Sequence, residues 1–393
     1  MSDHERGISL KKVMGNNLQK YTMIIAMLAI WLYFQIATGG IFLTARNMNN
    51  LFLQMCYIGI ASCAMVLVMV AGHIDLSVGS VIGFTGAIMA YAIRDLNMPM
   101  GFALIITLLV GALVGLWQGY WIAFKGIPAF IVTLSSQLVF RGGVLGVTKG
   151  NTIQPNNEAF KAIGQAYLPN IAGSNAAINV TAILIYAVCI CIYIGSMIAK
   201  RKNRIKYQFK VESNLLFVLK LFGMAVVMGL VFLIWSTDRG IPVPVIILAA
   251  VVLMMNIISQ NTAFGRHVFA IGGNIDASRL SGIDVKRTTA LIFVIMGVCS
   301  AMSGIVFTSR LNSAAIAGGT GAETDIIAAA IIGGTSPSGG KGSVLGCIIG
   351  ALVMASLENG MSILSMGSFE KYIVKGLVLL FAVAIDIANK KEA

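Results

Sequence analysis

Of the 393 residues, 58% are hydrophobic types and only 11% are charged, with 28 Lys+Arg against 15 Asp+Glu for a formal net charge of +13. A soluble domain carries about 25% charged residues, so a water-soluble core cannot hide this much apolar surface and the chain reads as an integral membrane protein. Helices are the expected spanning form, because lipid offers no partner to an open backbone group; the long unbroken apolar runs exclude a barrel, whose strands would alternate polar and apolar.

In chain order, residues 1–20 are polar and basic and read as a cytoplasmic N-terminal segment. The apolar run behind them resembles a long signal peptide. The following TGGIFLTARN has no small-x-small cleavage site, so the run is taken as a retained first helix. A span needs about 20 residues. Eligible segments are 21–38, 50–70, 74–92, 101–123, 129–147, 177–198, 216–235, 241–259, 289–309, 343–358 and 371–388. The stretch 324–336 is short and glycine-rich, and is expected to be a re-entrant or broken helix. The fold class expected is all-α: a polytopic protein of about ten transmembrane helices plus broken segments, in one transmembrane domain over 1–393.

Basic residues set the orientation, since Lys and Arg stay in short cytoplasmic loops. Arg6, Lys11, Lys12 and Lys20 lie at the N-terminus, and Lys125 lies in one loop. Six more lie between Lys200 and Lys210, and Arg266, Arg279, Lys286 and Arg287 lie in 260–288, with Lys390 and Lys391 at the end. These alternate loops and both termini are therefore placed in the cytoplasm. The positive charge follows from topology, and a nucleic-acid partner is not needed to explain it. The main external loop is 148–176, with a short helix expected near 157–166.

The stretch MVLVMVAGHIDLSVGS (65–80) places His73 and Asp75 inside an apolar run between Gly72 and Gly79. One helix should end near Ala71 and another begin after Asp75, whose carboxylate suits an N-cap. Ser77, Gly79, Ser80, Gly83 and Gly86 then offer a surface for close helix approach. Irregular backbone at membrane depth is tolerated where it is buried in protein or lines a water-filled path. A wet hairpin at the membrane surface has equal weight with a break beside a translocation path. GSVIG at 79–83 is echoed by GSVLG at 342–346, each behind an apolar run, paired small residues including Gly334, and a polar break. The pattern suggests a diverged internal repeat, as transporters have. The small-residue surfaces at 79–86 and 342–350 are expected to serve contact between two copies of the chain. TSPSGGKGS (335–343) fails as a phosphate-binding loop, because Thr335 stands at the first glycine position and Gly342 at the hydroxyl position.

In the loop 260–288, Gly265, Gly272 and Gly273 are read as turns. Asn274 can cap a short helix whose positive end suits Asp276, and Gly282 can supply the left-handed stop. The segment carries small Ala277, Ser278 and Ser281 between the caps. A plain surface helix and a knob seated in a partner's groove both fit this composition.

AFGRHVFAIGGNIDASRLSGIDVKR (263–287), AGHIDLSVGS (71–80) and IIGGTSPSGGKGSVLG (331–346) together closely resemble the ribose/xylose-type permeases of ATP-driven (ABC) sugar importers, over about 40–388. The external loop and the ending SFEKYIVKG (368–376) are similar as well. Within that type the likeness is to the xylose and the multiple-monosaccharide permeases, and His73, where many relatives carry Glu or Gly, agrees with the multiple-monosaccharide group. The resemblance implies a homodimeric channel and a cytoplasmic ATPase with two nucleotide-binding domains. It also implies an external sugar-binding protein and residence in a bacterial inner membrane. Arg266, Asn274, Ala277, Arg279 and Gly282 would couple to the ATPase, and ATP and Mg would bind there, with no cofactor or metal on this chain. His73, Asp75, Ser77, Gly79, Gly334 and Gly342 would mark the translocation path. The cargo implied is a monosaccharide such as xylose, arabinose, galactose or glucose.

Two rivals stand beside this. An ion-coupled secondary sugar transporter would need ionisable groups deep in the membrane; His73, Asp75, Glu358 and Asp386 are the candidates, all placed at helix ends. A membrane-embedded enzyme is poorly served by three unpaired histidines at 4, 73 and 267. Glu323 and Asp325 form a pair read as external helix caps rather than metal ligands. The six cysteines are read as small buried hydrophobes.

Overall fold

The computed structural model describes residues 18–173, 178–209 and 211–391, without the side chains of 18–22 and 385–391. The N-terminal charges at Arg6, Lys11 and Lys12, and the side chains of Lys20, Asp386 and Lys390, thus lie outside the described residues. So do Lys210, three residues of the 148–176 loop, and the side chain of Lys391.

The helices are α1 Leu18–Ala37, α2 Ala45–Val70, α3 Val78–Arg94, α4 Met100–Gly119 with a π turn Tyr120–Phe124, α5 Ala129–Thr148, α6 Glu158–Gln165, α7 Val180–Lys206, α8 Asn214–Thr237, α9 Val243–Asn261, α10 Ala263–Gly273, α11 Ile275–Leu280, α12 Val285–Leu311, α13 Ala322–Ile332, α14 Val344–Ile363 and α15 Ser368–Lys391. Among the described residues, eight are long and apolar enough to cross a bilayer: α2, α4 with its π turn, α5, α7, α8, α9, α12 and α14. α1 and α3 supply shorter apolar helices. This is an all-α, multi-pass membrane protein. Each expected span coincides with a helix, the short helix in the 148–176 loop is α6, and the segment at 324–336 is the short α13.

The chain divides into two compact units. One comprises 1–26, 43–49 and 167–242. Its described part is built on α7 and α8, which run antiparallel. Asn179 N donates to Ser236 O (2.8 Å), Tyr186 Oη to Ala225 O (3.1 Å) and Arg201 to the Asn214 side chain, in the register that an antiparallel pair requires. Asn179 and Ser213 cap the two helices through their side-chain oxygens. Cys191 on α7 is exposed, which corrects the expectation that all six cysteines are buried.

The other unit comprises 27–42, 50–166 and 243–393. Its core is the second half of α2, where Ile60 to Val70 are all fully inaccessible. α12 crosses α4 and α3 at backbone contact distance. Gly111, Gly115 and Gly119 of α4 lie against Gly297, Phe293 and Ala290 of α12, and Gly86 of α3 lies against Thr308. Small residues permit this approach, which is how helices associate where lipid removes the hydrophobic drive. Gly79 and Gly83 meet Gly319, Gly318 and Glu323, while Gly346 and Gly350 meet Gly333 and Ala329. The small-residue surfaces at 79–86 and 342–350 are therefore consumed inside the chain, a correction to their expected use between two copies.

Candidate functional site

The first helix break follows from its sequence. α2 ends at Val70, and Gly72 takes φ +82°, the left-handed conformation that glycine adopts at little cost. Gly72 N then donates to Met69 O (2.9 Å) and His73 N to Val68 O (3.0 Å), the paired bonds of a Schellman stop. Asp75 is 1% exposed. Its carboxylate accepts from Ser77 N (2.8 Å) and Ser77 Oγ (2.6 Å), and Gln118 Nε2 of α4 donates to Ser77 Oγ (2.7 Å). The positional N-cap of α3 is Ser77, not Asp75, and Ser77 makes no side-chain cap bond. Asp75 instead closes an Asx turn two residues ahead, because its short side chain reaches the nearer N–H first. His73 lies beside the Phe293 ring, with centroids 5.9 Å apart.

The second break starts in the same way. α13 ends at Ile332 and Gly334 takes φ +88°. Gly334 N donates to Ile331 O (2.9 Å) and Thr335 N to Ala330 O (3.0 Å), as Gly72 and His73 do in the first. The next helix, α14, is capped by Ser343 Oγ, which accepts from Gly346 N (3.0 Å). The echoed GSVxG motif thus opens both downstream helices, but Ser343 is a cap whereas Ser80 lies inside α3.

The loop 260–288 holds two helices, not one. Thr262 caps α10 by accepting from Gly265 N (3.1 Å), so Gly265, Gly272 and Gly273 lie within a helix rather than marking turns. The reason is contact: Gly265 faces the backbone of Ser259, and Gly272 faces Val70 O and Gly340 N. α11 is built as its sequence predicts. Asn274 Oδ1 accepts from Ala277 N (3.0 Å), Gly282 takes φ +82°, and Ile283 N donates to Ser278 O (3.1 Å). Arg266, Ala277 and Arg279 are exposed, but Ser278 is buried and turns inward. Leu280, which composition did not single out, is 90% exposed at the tip.

These three pieces meet. Gly340 N of the second break donates to Val70 O at the end of α2 (2.9 Å). Gly272 of α10 sits on the same carbonyl, and Gly342 rests on the Val70 and Val66 side chains. A cleft of about 670 Å³ beside this junction is lined by His73, Ile122, Gly126, Arg279, Asp284 and Lys286. His73 and Arg279, which the sequence assigned to separate roles, share it. The exposed loop helix is thereby joined to both helix breaks through backbone contacts that leave no room for a side chain.

A further charged group escaped the sequence. Lys375 Nζ of α15 bonds Asp325 Oδ2 (2.9 Å) on α13 and Glu358 Oε2 (2.8 Å) on α14, and Lys371 Nζ bonds Glu358 Oε1 (3.0 Å). Asp325 is 2% exposed. It is an ion-pair partner rather than an external cap, and Glu358 lies inside α14 rather than at its end. Glu323 accepts from Gln137 Nε2 (3.3 Å). The signal available was the i, i+4 spacing of Lys371 and Lys375, but their partners are distant in the chain.

A protein family described as the permease component of the branched-chain amino acid transport system matches residues 47–383. The chain is 41% identical over 382 residues to the xylose transport system permease protein XylH of Haemophilus influenzae, covering 97% of this chain and 99% of the relative. It is 40% identical over 378 residues to XylH of Escherichia coli K12, covering 96% and 94%. It is 32% identical over 351 residues to the ribose import permease protein RbsC of the same strain, covering 89% and 88%. No solved structure matches significantly. With most of its length covered by both the family and these relatives, the chain belongs to this family of transport-system permease components.

Proposed function

We propose that the chain is the membrane-spanning permease subunit of an ATP-driven importer for monosaccharides, with xylose first among the candidates, ahead of arabinose, galactose and glucose. Two copies would form the translocation path in a bacterial cell membrane, with both termini and the 260–288 loop in the cytoplasm and residues 1–393 acting as one permease domain. A separate ATPase with two nucleotide-binding domains would hydrolyse ATP with Mg, and an external binding protein would deliver the sugar. The observation that carries this is the junction of α10, the Gly72 break and the Gly340 break. A protruding capped helix with an exposed Leu280 would seat in the ATPase, and its displacement would reach both breaks through Val70 and Gly272. His73, Asp75, Ser77, Gly79, Gly334 and Gly342 would shape the path's inner end, while Arg266, Asn274, Ala277, Arg279 and Gly282 would serve the coupling.

The Asp325–Lys375–Glu358 group, with Asp325 buried and its two partners half-buried, favours a second hypothesis, an ion-coupled sugar carrier, since intramembrane ionisable groups often relay ions. Labelled xylose uptake into proteoliposomes separates the two. The importer requires ATP, the ATPase and the binding protein, and no ion gradient. Uptake driven by a proton gradient without the ATPase contradicts it. Ala277→Trp and Gly282→Pro should each abolish co-purification of the ATPase while leaving membrane expression unchanged; wild-type yields of ATPase with both variants would exclude α11 as the docking knob.

A further inference from the structure

At the opposite end of α12 from the 260–288 loop lies a second cavity, of about 400 Å³. α12 has 27 residues, so at about 1.5 Å per residue the two sites are separated by about 40 Å, the thickness of a bilayer. Gln54, Tyr57, Arg310, Asp325, Glu358 and Tyr372 are among the residues that line the cavity.

The chemistry left over in this cavity is mixed. Lys371 and Lys375 are neutralised by Glu358 and Asp325 at 2.8–3.0 Å, so these four clamp α13, α14 and α15 together. Outside the clamp, Arg310 takes part in no hydrogen bond or ion pair of its guanidinium among the described residues. Two buried acceptors, Gln54 Oε1 and Asp325 Oδ1, have no hydrogen-bond partner. A buried polar atom without a partner costs about 1–3 kcal/mol, so polar groups of both senses around one cavity point to a ligand that supplies donors and acceptors together. A hydroxyl does both. An anion would meet Arg310 but would bring acceptors to the unpartnered acceptors Gln54 Oε1 and Asp325 Oδ1, whereas a cation would face Arg310. Tyr57 and Tyr372 add aromatic walls, and Phe307 stands edge-on to Tyr57 at 5.0 Å. The volume falls within the range of small-molecule sites.

We propose that this cavity holds a neutral monosaccharide in transit, with Arg310, Gln54 and Asp325 bonding its hydroxyls and Tyr57 and Tyr372 flanking its ring. The site rests on the monosaccharide-importer function and adds to it a residue-level station at the end of the path remote from the ATPase.

Thr320, exposed and on the cavity lining, reports occupancy. In a permease–ATPase complex carrying Cys191→Ser and Thr320→Cys, D-xylose should slow maleimide labelling by a factor of one plus the ratio of its concentration to Kd, about threefold at twice Kd, and the effect should saturate. D-xylonate, of similar shape but anionic, should not protect. Arg310→Gln, and independently Gln54→Leu, should abolish protection in complexes that still co-purify with the ATPase. Protection that persists in both variants would remove these residues from the site. Labelling that is insensitive to D-xylose up to its solubility, in a complex that does import xylose with ATP, overturns the site alone, as does equal protection by xylonate. Failure of the wild-type complex to import any monosaccharide with ATP instead overturns the importer function.

Discussion

The two helix breaks begin alike and are then held by different means. Each opens with a glycine in the left-handed conformation and the same pair of backbone bonds, at Gly72 and Gly334. Beyond that point the first break is fixed by side chains: Asp75 holds Ser77, and Ser77 is held again by Gln118 of α4. The second is fixed by backbone: Ser336 N bonds Lys341 O (2.9 Å), Gly339 and Gly340 have φ +86° and +75°, and Gly340 N bonds Val70 O. A side-chain lock tolerates conservative exchange of its members. A backbone lock tolerates none where a Cβ has no space. The first break therefore reads as a fixed fulcrum, and the second as the element pressed between α2 and the 260–288 loop.

The largest effect should come from breaking the backbone lock. In Gly272→Ala the new Cβ overlaps Val70 O and crowds Gly340 N. Overpacking costs about 1–3 kcal/mol even where side chains can shift, and here the neighbours are backbone. Uptake of xylose in proteoliposomes should fall about tenfold or more, given that about 1.4 kcal/mol is a factor of ten, while the ATPase still co-purifies. Uptake near wild type would show that α10 is not clamped to the breaks.

The side-chain lock should grade its response. Asp75→Ala leaves Ser77 N unpartnered and loosens the chain to Gln118, and a buried unpaired polar group costs about 1–3 kcal/mol. Asp75→Asn keeps an accepting oxygen and should lose less than half as much, by thermal unfolding and by uptake. Equal loss in the two variants would mean that the carboxylate's charge, not its geometry, is what matters, as an ion-coupled carrier requires.

The shared helix stops sharpen the comparison from the other side. Gly72 and Gly334 each have open space where a Cβ would stand. Gly72→Ala and Gly334→Ala should therefore cost the same, about 1–2 kcal/mol of left-handed strain, in thermal unfolding of the purified protein. Unequal losses would mean that the two stops are not equivalent. The smallest effect belongs to His73. Its ring touches Phe293 at the edge of the cleft, and no hydrogen bond of the lock passes through it. His73→Gly and His73→Glu should keep most of the uptake measured for wild type.

What the sequence disclosed was local. A glycine that stops a helix, an Asn or Ser that caps one, and an apolar run long enough to span are each decided within a few residues, so α11, both stops and all the spans were legible. The bonds that give the site its mechanics join distant residues: Gln118 reaches Ser77 across 41 positions, and Lys375 reaches Asp325 across 50. Gly272 illustrates the limit most clearly. In sequence it looks like a turn; in the fold it is a helical residue that must lack a side chain, because a carbonyl from a helix two hundred positions upstream occupies the space. Asp75 was assigned the right partners' neighbourhood but the wrong position, because an Asx turn and an N-cap use the same carboxylate one residue apart in geometry.

The claim that the coupling helix drives the breaks through Gly272 is tested most directly by counting ATP hydrolysed per xylose imported in proteoliposomes, for wild type and Gly272→Ala side by side. The account predicts that hydrolysis continues in the variant while import falls, so the ratio rises about tenfold or more, matching the loss of one clamped contact. A ratio equal to wild type, with hydrolysis and import falling together or neither falling, would contradict it.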